Sequence, residues 1–414
     1  MKAFRKYIDK IKPNFQKGGK FEKLQSVFEG FESFLYVPNK VTSHGSHIRD
    51  SIDMKRTMTV VIIALIPAML FGMWNAGYQH FLATGQTGTI FQLFWFGFLR
   101  VFPIIVVSYV VGLGIEFIFA QIRGHEINEG FLVTGILIPL IMPVDIPLWM
   151  VAVATAFSVI IGKEVFGGSG MNIWNPALTA RAFLFFAYPS QISGDLVWIH
   201  GLKQGITTID GFSGATPLAN AAATVNLNNQ MVDAINAGDK ILASGLHEQI
   251  NTLLAKIPSA QEMFLGIMPG SIGETSTLAI LIGAFILVLT GIGSWKIITS
   301  VFLGGLSMGL LLNLFAVNPF MEIPYWHHIL LGGFAFGAVF MATDPVSAAQ
   351  TEKGKWIYGF LVGFLAILIR VLNPAYPEGV MLSILLMNTF APLIDHYVVE
   401  GNIRRRLKRA KVNA

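Results

Sequence analysis

The chain has 414 residues, of which 53% are hydrophobic and 13% charged, and its mean hydropathy is +0.61. Soluble domains carry about 25% charged residues, so a soluble globular protein is excluded and an integral membrane protein is expected. Cysteine is absent, which excludes thiolate-held iron–sulfur clusters, structural disulfides and c-type haem attachment.

The opening, residues 1–57, is polar and basic. No apolar core follows Met1-Lys2-Ala3-Phe4-Arg5-Lys6, so no cleavable signal peptide is expected. Phe15, Phe21, Leu24, Phe28, Phe31 and Phe34 recur at roughly helical spacing, the pattern of an interfacial or partner-packed helix. The basic residues suit an anionic lipid surface, and no nucleic-acid partner is expected. Apolar runs then follow at 58–74, 101–120, 130–146, 148–162 and 176–188, forming a first membrane unit over 58–188. A long polar segment, 189–276, separates them from runs at 277–293, 297–315, 328–343, 356–372 and 379–394, a second unit over 277–394. Residues 395–414 form a basic tail. The expected architecture is therefore an all-α polytopic protein of about ten spans (nine or eleven being the alternatives), several of them shorter than a standard crossing of about 30 Å and many interrupted by proline or glycine.

Charge sets the orientation. Residues 1–57 hold twelve Lys/Arg and residues 401–414 hold six. With an even number of spans, Arg123, Lys163, Lys296, Lys353 and Lys355 join them on one side, against Lys203, Lys240 and Lys256 on the other. Both termini are thus expected in the cytoplasm and residues 189–276 outside. Asn175-Pro176-Ala177 and Asn373-Pro374-Ala375 stand at corresponding places in the two halves. An odd number of spans per half makes the second half an inverted repeat, with sites expected near the repeat interface.

Five features carry candidate chemistry. Asp210-Gly211-Phe212-Ser213-Gly214-Ala215-Thr216 leaves the Thr216 hydroxyl little side-chain bulk around it, as a modification acceptor requires; a plain turn is the alternative. Lys163 to Pro176 is a glycine-rich loop whose Asn172 and Asn175 amides can donate and accept. Glu116, Asp344 and Asp395 lie in or at the ends of apolar runs, where a carboxylate is costly unless paired or hydrated, and Glu116 is expected deepest. Val111-Gly112-Leu113-Gly114 provides close helix packing or room for an apolar ring beside Glu116. Arg181 lies inside a span and is expected to meet an acidic group or a flavin between the repeats; reaching the headgroups is the alternative. The nine histidines form no pair at helical spacing on an apolar run, and none is expected to hold a metal.

Ser213-Gly214-Ala215-Thr216 resembles a motif at which FMN is esterified to threonine. Asn128-Glu129-Gly130-Phe131, Lys163-Glu164-Val165-Phe166-Gly167-Gly168 and Arg181 to Pro189 fit the same family. So do Ala342 to Ser347, Asn373 to Gly379 and Asn402 to Leu407. Together they resemble the B subunit of the bacterial Na+-translocating NADH:quinone oxidoreductase over the whole chain, with 222–262 the least matched. The resemblance implies covalent FMN on Thr216, with Ser213, Gly214 and Ala215 in the attachment motif. It implies a non-covalent riboflavin near Asn172 and Asn175, and ubiquinone as electron acceptor. Gly112 and Glu116 would belong to quinone access and Na+ coupling, and Asp344 and Asp395 to Na+ handling. Implied partners are subunits A, C, D, E and F, a flavin transferase and membrane lipid, and the implied location is the bacterial inner membrane. The family fold resembles that of urea and ammonium transporters. Where relatives carry Gly-Gly-x-x-Glu, this chain has Gly112-Leu113-Gly114-Ile115-Glu116, so a bulkier residue narrows the expected quinone entrance. The membrane flavin subunit of Rnf complexes shares the motif but typically lacks the N-terminal extension. A solute channel of the same fold would leave the threonine motif unexplained.

Overall fold

The computed structural model describes residues 2–16, 18–21, 25, 28, 32, 42–48, 54–123, 130–210, 212–373 and 378–412. Leu24, Phe31, Phe34, Asn128, Glu129, Gly211 and the stretch from Pro374 to Pro377 lie outside them. All regular structure among the described residues is helical. The amphipathic α1 (Lys2–Ile11) is followed by Phe15, which stacks on Phe21 at 5.5 Å and on Phe28 at 4.6 Å.

The first half contains α2 (Met54–Thr84), α3 (Ile90–Arg123), α4 (Phe131–Leu140), α5 (Leu148–Gly162) and α6 (Pro176–Ala187). A helical hairpin, α7 (Pro217–Asn236) and α8 (Lys240–Ala255), occupies the long polar segment. The second half contains α9 (Thr277–Leu289), α10 (Trp295–Leu314), a broken stretch over 327–341, α11 (Glu352–Leu372) and α12 (Val380–Val412). The basic residues of the expected C-terminal tail lie on α12, which runs to Val412.

Every expected apolar run overlaps a helix, though 141–146 and 290–293 are not helical, and only six helices among the described residues are long and apolar enough to cross a membrane. Helices α4, α6 and α9 have 10, 12 and 13 residues. At about 1.5 Å per residue they cover about 15–20 Å, well short of the hydrocarbon thickness. The run at 328–343 is broken further, into His327–Leu330, Phe334–Phe336 and a π turn at Gly337–Met341. The expected short and interrupted runs thus stand among long helices. Proline and glycine do the interrupting: Pro139, Pro143 and Pro147 bracket the end of α4, and Gly332 takes φ +63° between the pieces of the broken stretch.

Interrupted helices expose carbonyls in an apolar interior, so each needs a donor. At the end of α4, the Gly273 amide donates to Leu140 O at 2.7 Å and the Ile272 amide to Met142 O at 3.2 Å. Gly273 is required there, because a Cβ would lie 2.8 Å from the Leu140 Cβ. In the broken stretch, the guanidinium of fully buried Arg370 donates to His328 O and, at 3.0 Å, to Leu331 O. The polar segment is fastened to the bundle by His200, whose Nδ1 lies 2.7 Å from Asp145 Oδ1 and whose carbonyl oxygen is 2.8 Å from His80 Nδ1.

Helices α10 and α11 pack through reciprocal glycines: a Cβ on Gly304 would overlap Phe360 O, and one on Gly363 would overlap Val301 O. Close approach through small residues is how helices associate where lipid removes the hydrophobic drive. Gly363→Ala is expected to cost about 1–3 kcal/mol by overpacking. Gly245→Ala, on α8 with nothing within 4 Å of its Cβ, is expected to be neutral or to stabilise by up to about 1 kcal/mol. Thermal unfolding of the two variants in detergent checks the contrast.

Candidate functional site: two cavities on one short helix

Thr216 is the N-cap of α7: its Oγ1 accepts from the Ala219 amide at 3.2 Å, and Pro217 opens the helix. The hydroxyl therefore sits where backbone N–H groups and the helix dipole favour an anion. The motif before it is a turn, in which Ser213 Oγ accepts from the Ala215 amide at 3.3 Å. Gly214 is buried, and a Cβ there would overlap Asp195 O. Its glycine is thus a packing requirement that positions Thr216.

Thr216 lines a cavity with Arg181, Phe185, Trp198, Met268 and Glu274. Arg181, on α6, is buried and does not reach toward headgroups. Its Nη1 donates to both Glu274 carboxylate oxygens at 2.9 Å, and its Nη2 to Ser271 Oγ at 3.3 Å and to Glu378. Its partners are acids from later parts of the chain. Glu274, Glu378 and Arg370 are not singled out by the sequence reading. An Arg inside an apolar run is the available signal for Arg370, the same signal that marks Arg181.

A second cavity lies at the other end of α6. Lys163, Asn172, Asn175, Thr134 and Asp344 line it, with Val133, Leu137 and Phe340 as apolar walls. Asn175 caps α6, accepting from the Ala177 and Leu178 amides at 3.0 and 3.3 Å. Asn172 Nδ2 donates to Trp174 O at 3.0 Å, and Trp174 Nε1 to Thr389 Oγ1 on α12 at 3.0 Å. Pro176 lines this cavity and Arg181 the first. Their separation is about 8 Å along the helix axis, at about 1.5 Å per residue.

Glu116 is buried on α3 and ion-paired directly to Lys163, whose ammonium also lies 5.9 Å from the Phe131 ring centroid. Lys163 is thus the partner that the sequence reading of Glu116 does not identify. Next to it, Arg123 donates to Glu164 Oε2 at 2.9 Å and to its carbonyl oxygen at 2.7 Å. Gly112 is buried on the same helix, and a Cβ there would overlap the Phe131 ring, whereas Gly114 has open space. The small residue at 112 therefore admits an aromatic ring from the protein itself.

The remaining acids are held by their neighbours. Asp344 accepts from Ser347 Oγ at 2.7 Å and from the Val346 amide at 3.3 Å while lining the second cavity. Asp395, on α12, accepts from the Gln350 amide at 2.6 Å, the Thr351 amide at 3.0 Å and Thr351 Oγ1 at 2.5 Å. It anchors the start of α11. The structure does not bring Glu116, Asp344 and Asp395 into one cluster, and no metal-holding group of three His, Asp or Glu occurs among the described residues.

These features define a multi-pass helical membrane protein with two cavities, each lined by polar and apolar side chains, along one short helix. The chain matches the NQR2, RnfD, RnfE family over residues 41–404 and belongs to it. It is 47% identical over 432 aligned positions to the B subunit of the Na(+)-translocating NADH-quinone reductase of Ectopseudomonas mendocina, covering 98% of this chain and 99% of that protein. The B subunits of the same reductase from Azotobacter vinelandii and Pseudomonas aeruginosa PAO1 are each 46% identical over the same share of the chain.

Removing one partner of a buried pair strands the other charge, at a cost of about 3–5 kcal/mol. Lys163→Met is expected to destabilise by that order, and Lys163→Met combined with Glu116→Gln to recover most of it. A double-mutant cycle of thermal unfolding measures the coupling.

Proposed function

We propose that this chain is the membrane electron-transfer subunit of a Na+-translocating NADH:quinone reductase, acting with subunits A, C, D, E and F. The observation that carries the proposal is the near-complete alignment with the B subunits of such reductases. It includes the N-terminal extension, whereas the family match begins at residue 41. That extension favours this reading over the Rnf-type subunit. Membership of an oxidoreductase complex also gives Thr216 a role that a solute channel would not.

Thr216 is the proposed site of an FMN phosphoester, installed by a flavin transferase. The residues present fit such a group: the hydroxyl lies at a helix N-terminus, and Phe185, Trp198 and Met268 provide apolar walls in the adjoining cavity. Ser213, Gly214 and Ala215 shape the turn that presents it. The second cavity fits a riboflavin, with Asn172, Asn175 and Lys163 as polar contacts and Val133, Leu137 and Phe340 beside them. The flavins would supply the electron chemistry; the chain binds and orients them and excludes water. Arg181 lines the first cavity and ties α6 to Glu274 and Glu378.

Ubiquinone access is proposed beside Gly112, with Phe131 as the ring to be displaced. Glu116 is the proposed Na+ ligand and Asp344 a second oxygen donor, since a hard cation prefers anionic oxygen. Asp395 would act on that path through the loop it anchors. The proposed orientation is that of an inner-membrane protein with residues 1–57 and 395–414 in the cytoplasm and 189–276 outside, following the lysine and arginine bias. The proposed architecture is two inverted repeats of the urea and ammonium transporter kind. It is supported by short or broken helices third in each half, α4 and the stretch 327–341.

Thr216→Val keeps the shape of the side chain and lacks the hydroxyl. The fold should survive while mass spectrometry of the purified chain shows the loss of one FMN adduct. An adduct that persists assigns the attachment to another residue.

Glu116→Gln leaves Lys163 without its anion, so the informative comparison is with the doubly substituted chain. Both are expected to raise the Na+ concentration for half-maximal quinone reduction, with flavin content retained. An unchanged Na+ curve at saturating quinone removes Glu116 from the ion path.

A further inference from the structure

Helix α12 has 33 residues. At about 1.5 Å per residue it is about 50 Å long, against about 30 Å of hydrocarbon. Ala391 is its last buried residue among those described. Neighbouring elements mark the level at which it leaves the bundle. Asp395 accepts from the Thr351 amide at the start of α11. Trp356 on α11 meets Trp295 at the start of α10 edge to face at 5.8 Å, and both rings are exposed, as at a membrane–water boundary. From Asp395, Ile403 lies about 12 Å further along the axis and Leu407 about 18 Å. The headgroup layer is only about 5–8 Å deep on each side, so these side chains stand beyond the lipid.

The projecting end is amphipathic. Val399, Ile403 and Leu407, spaced four apart, form one stripe and are 46%, 51% and 57% exposed. Arg406 borders the stripe on one side and Arg404, ion-paired to Glu400, on the other, while Arg405, Lys408 and Arg409 cover the opposite face. Five cations thus stand against one acid between residues 396 and 409. We propose that residues 399–409 are a docking helix for a neighbouring protein subunit whose surface offers an aliphatic groove edged by carboxylates. The inference rests on the chain being one subunit of a larger reductase. An apolar stripe on a helix is read by a groove, and the surrounding charge selects an acidic rim, which arginine forks pair with well. Lipid is a poor occupant, because a helix continuous with a span leads its stripe away from the headgroups instead of along them.

The test uses the purified complex. A photo-crosslinking side chain placed at Ile403 or Leu407 is expected to join α12 to one other subunit, and the same probe at Arg405, on the opposite face, to give much less of that product. Ile403→Ala combined with Leu407→Ala is expected to weaken retention of that subunit by on the order of tenfold on dilution, through loss of two aliphatic contacts. Arg406→Glu should weaken it as well, and Arg405→Glu should do so less. All four positions are exposed, so the substituted chains should unfold at the same temperature as the unsubstituted one. Cross-links that reach only lipid or a second copy of this chain, or none at all in an intact complex, overturn the inference alone. So does full retention of every subunit by the doubly substituted chain. An unsubstituted chain that purifies without any other subunit overturns the reading as a complex subunit and the inference with it.

Discussion

The structure depends on satisfying backbone carbonyls where helices stop inside an apolar bundle. Water is not available there to take over an unmade hydrogen bond, so an interrupted helix survives only where the chain supplies a donor. Two solutions appear. The end of α4 is closed by the amides of Ile272 and Gly273, and the broken stretch over 327–341 by the Arg370 guanidinium. Each solution draws a remote part of the chain inward. The first brings the segment ahead of α9, with Ser271 and Glu274, against the first half. The second brings Arg370 beside Glu378, and Glu378 beside Arg181.

The candidate site follows from these closures. Arg181 finds two carboxylates because both backbone repairs deliver an acidic neighbour to the same place. Capping of α6 by Asn175 at one end and the Arg181 cluster further along leave a polar cavity on each side of a few residues of helix. Short helices thus serve a purpose that a full-length span could not, since they bring two polar sites within about 8 Å along one axis. Gly214 and Gly112 act at close range in the same sense: one lets the Thr216 turn lie on Asp195, the other lets Phe131 lie on α3.

Much of this was legible in the residues. The small residues before Thr216 read as an accessible hydroxyl or a turn, and that Thr216 also caps a helix is not part of that reading. An arginine in an apolar run needs an acid, and Arg181 has two. The apolar runs located the helices because hydropathy is local information. Their lengths were not legible in the same way. In the run 130–146 the prolines mark an interruption, but the donors at Ile272 and Gly273 that satisfy the carbonyls left by a stop at Leu140 are remote in sequence. Lys163 escaped notice as the partner of Glu116 because their contact spans 47 residues and neither residue's neighbours announce the other. Asp395, at the end of an apolar run, reads as a group for Na+ handling or for reaching water. Its oxygens receive two amides and a hydroxyl from the turn before α11, partners that no spacing rule points to.

The short stretch of α6 between the cavities carries Ala177, Leu178 and Ala180, all essentially without exposure. Packed at the density of organic crystals, that stretch offers a solute no passage from one cavity to the other. Electrons do not require a bore, only two acceptors held a short distance apart in a medium that does not rearrange. An ion does require a wet path, so under the proposed function the cation moves beside this helix, where the Lys163–Glu116 pair and Asp344 stand, and the electron moves between the cavities. Lys163 is ion-paired to Glu116 and lines the second cavity, so a change of charge in that cavity would act on the cation that neutralises Glu116.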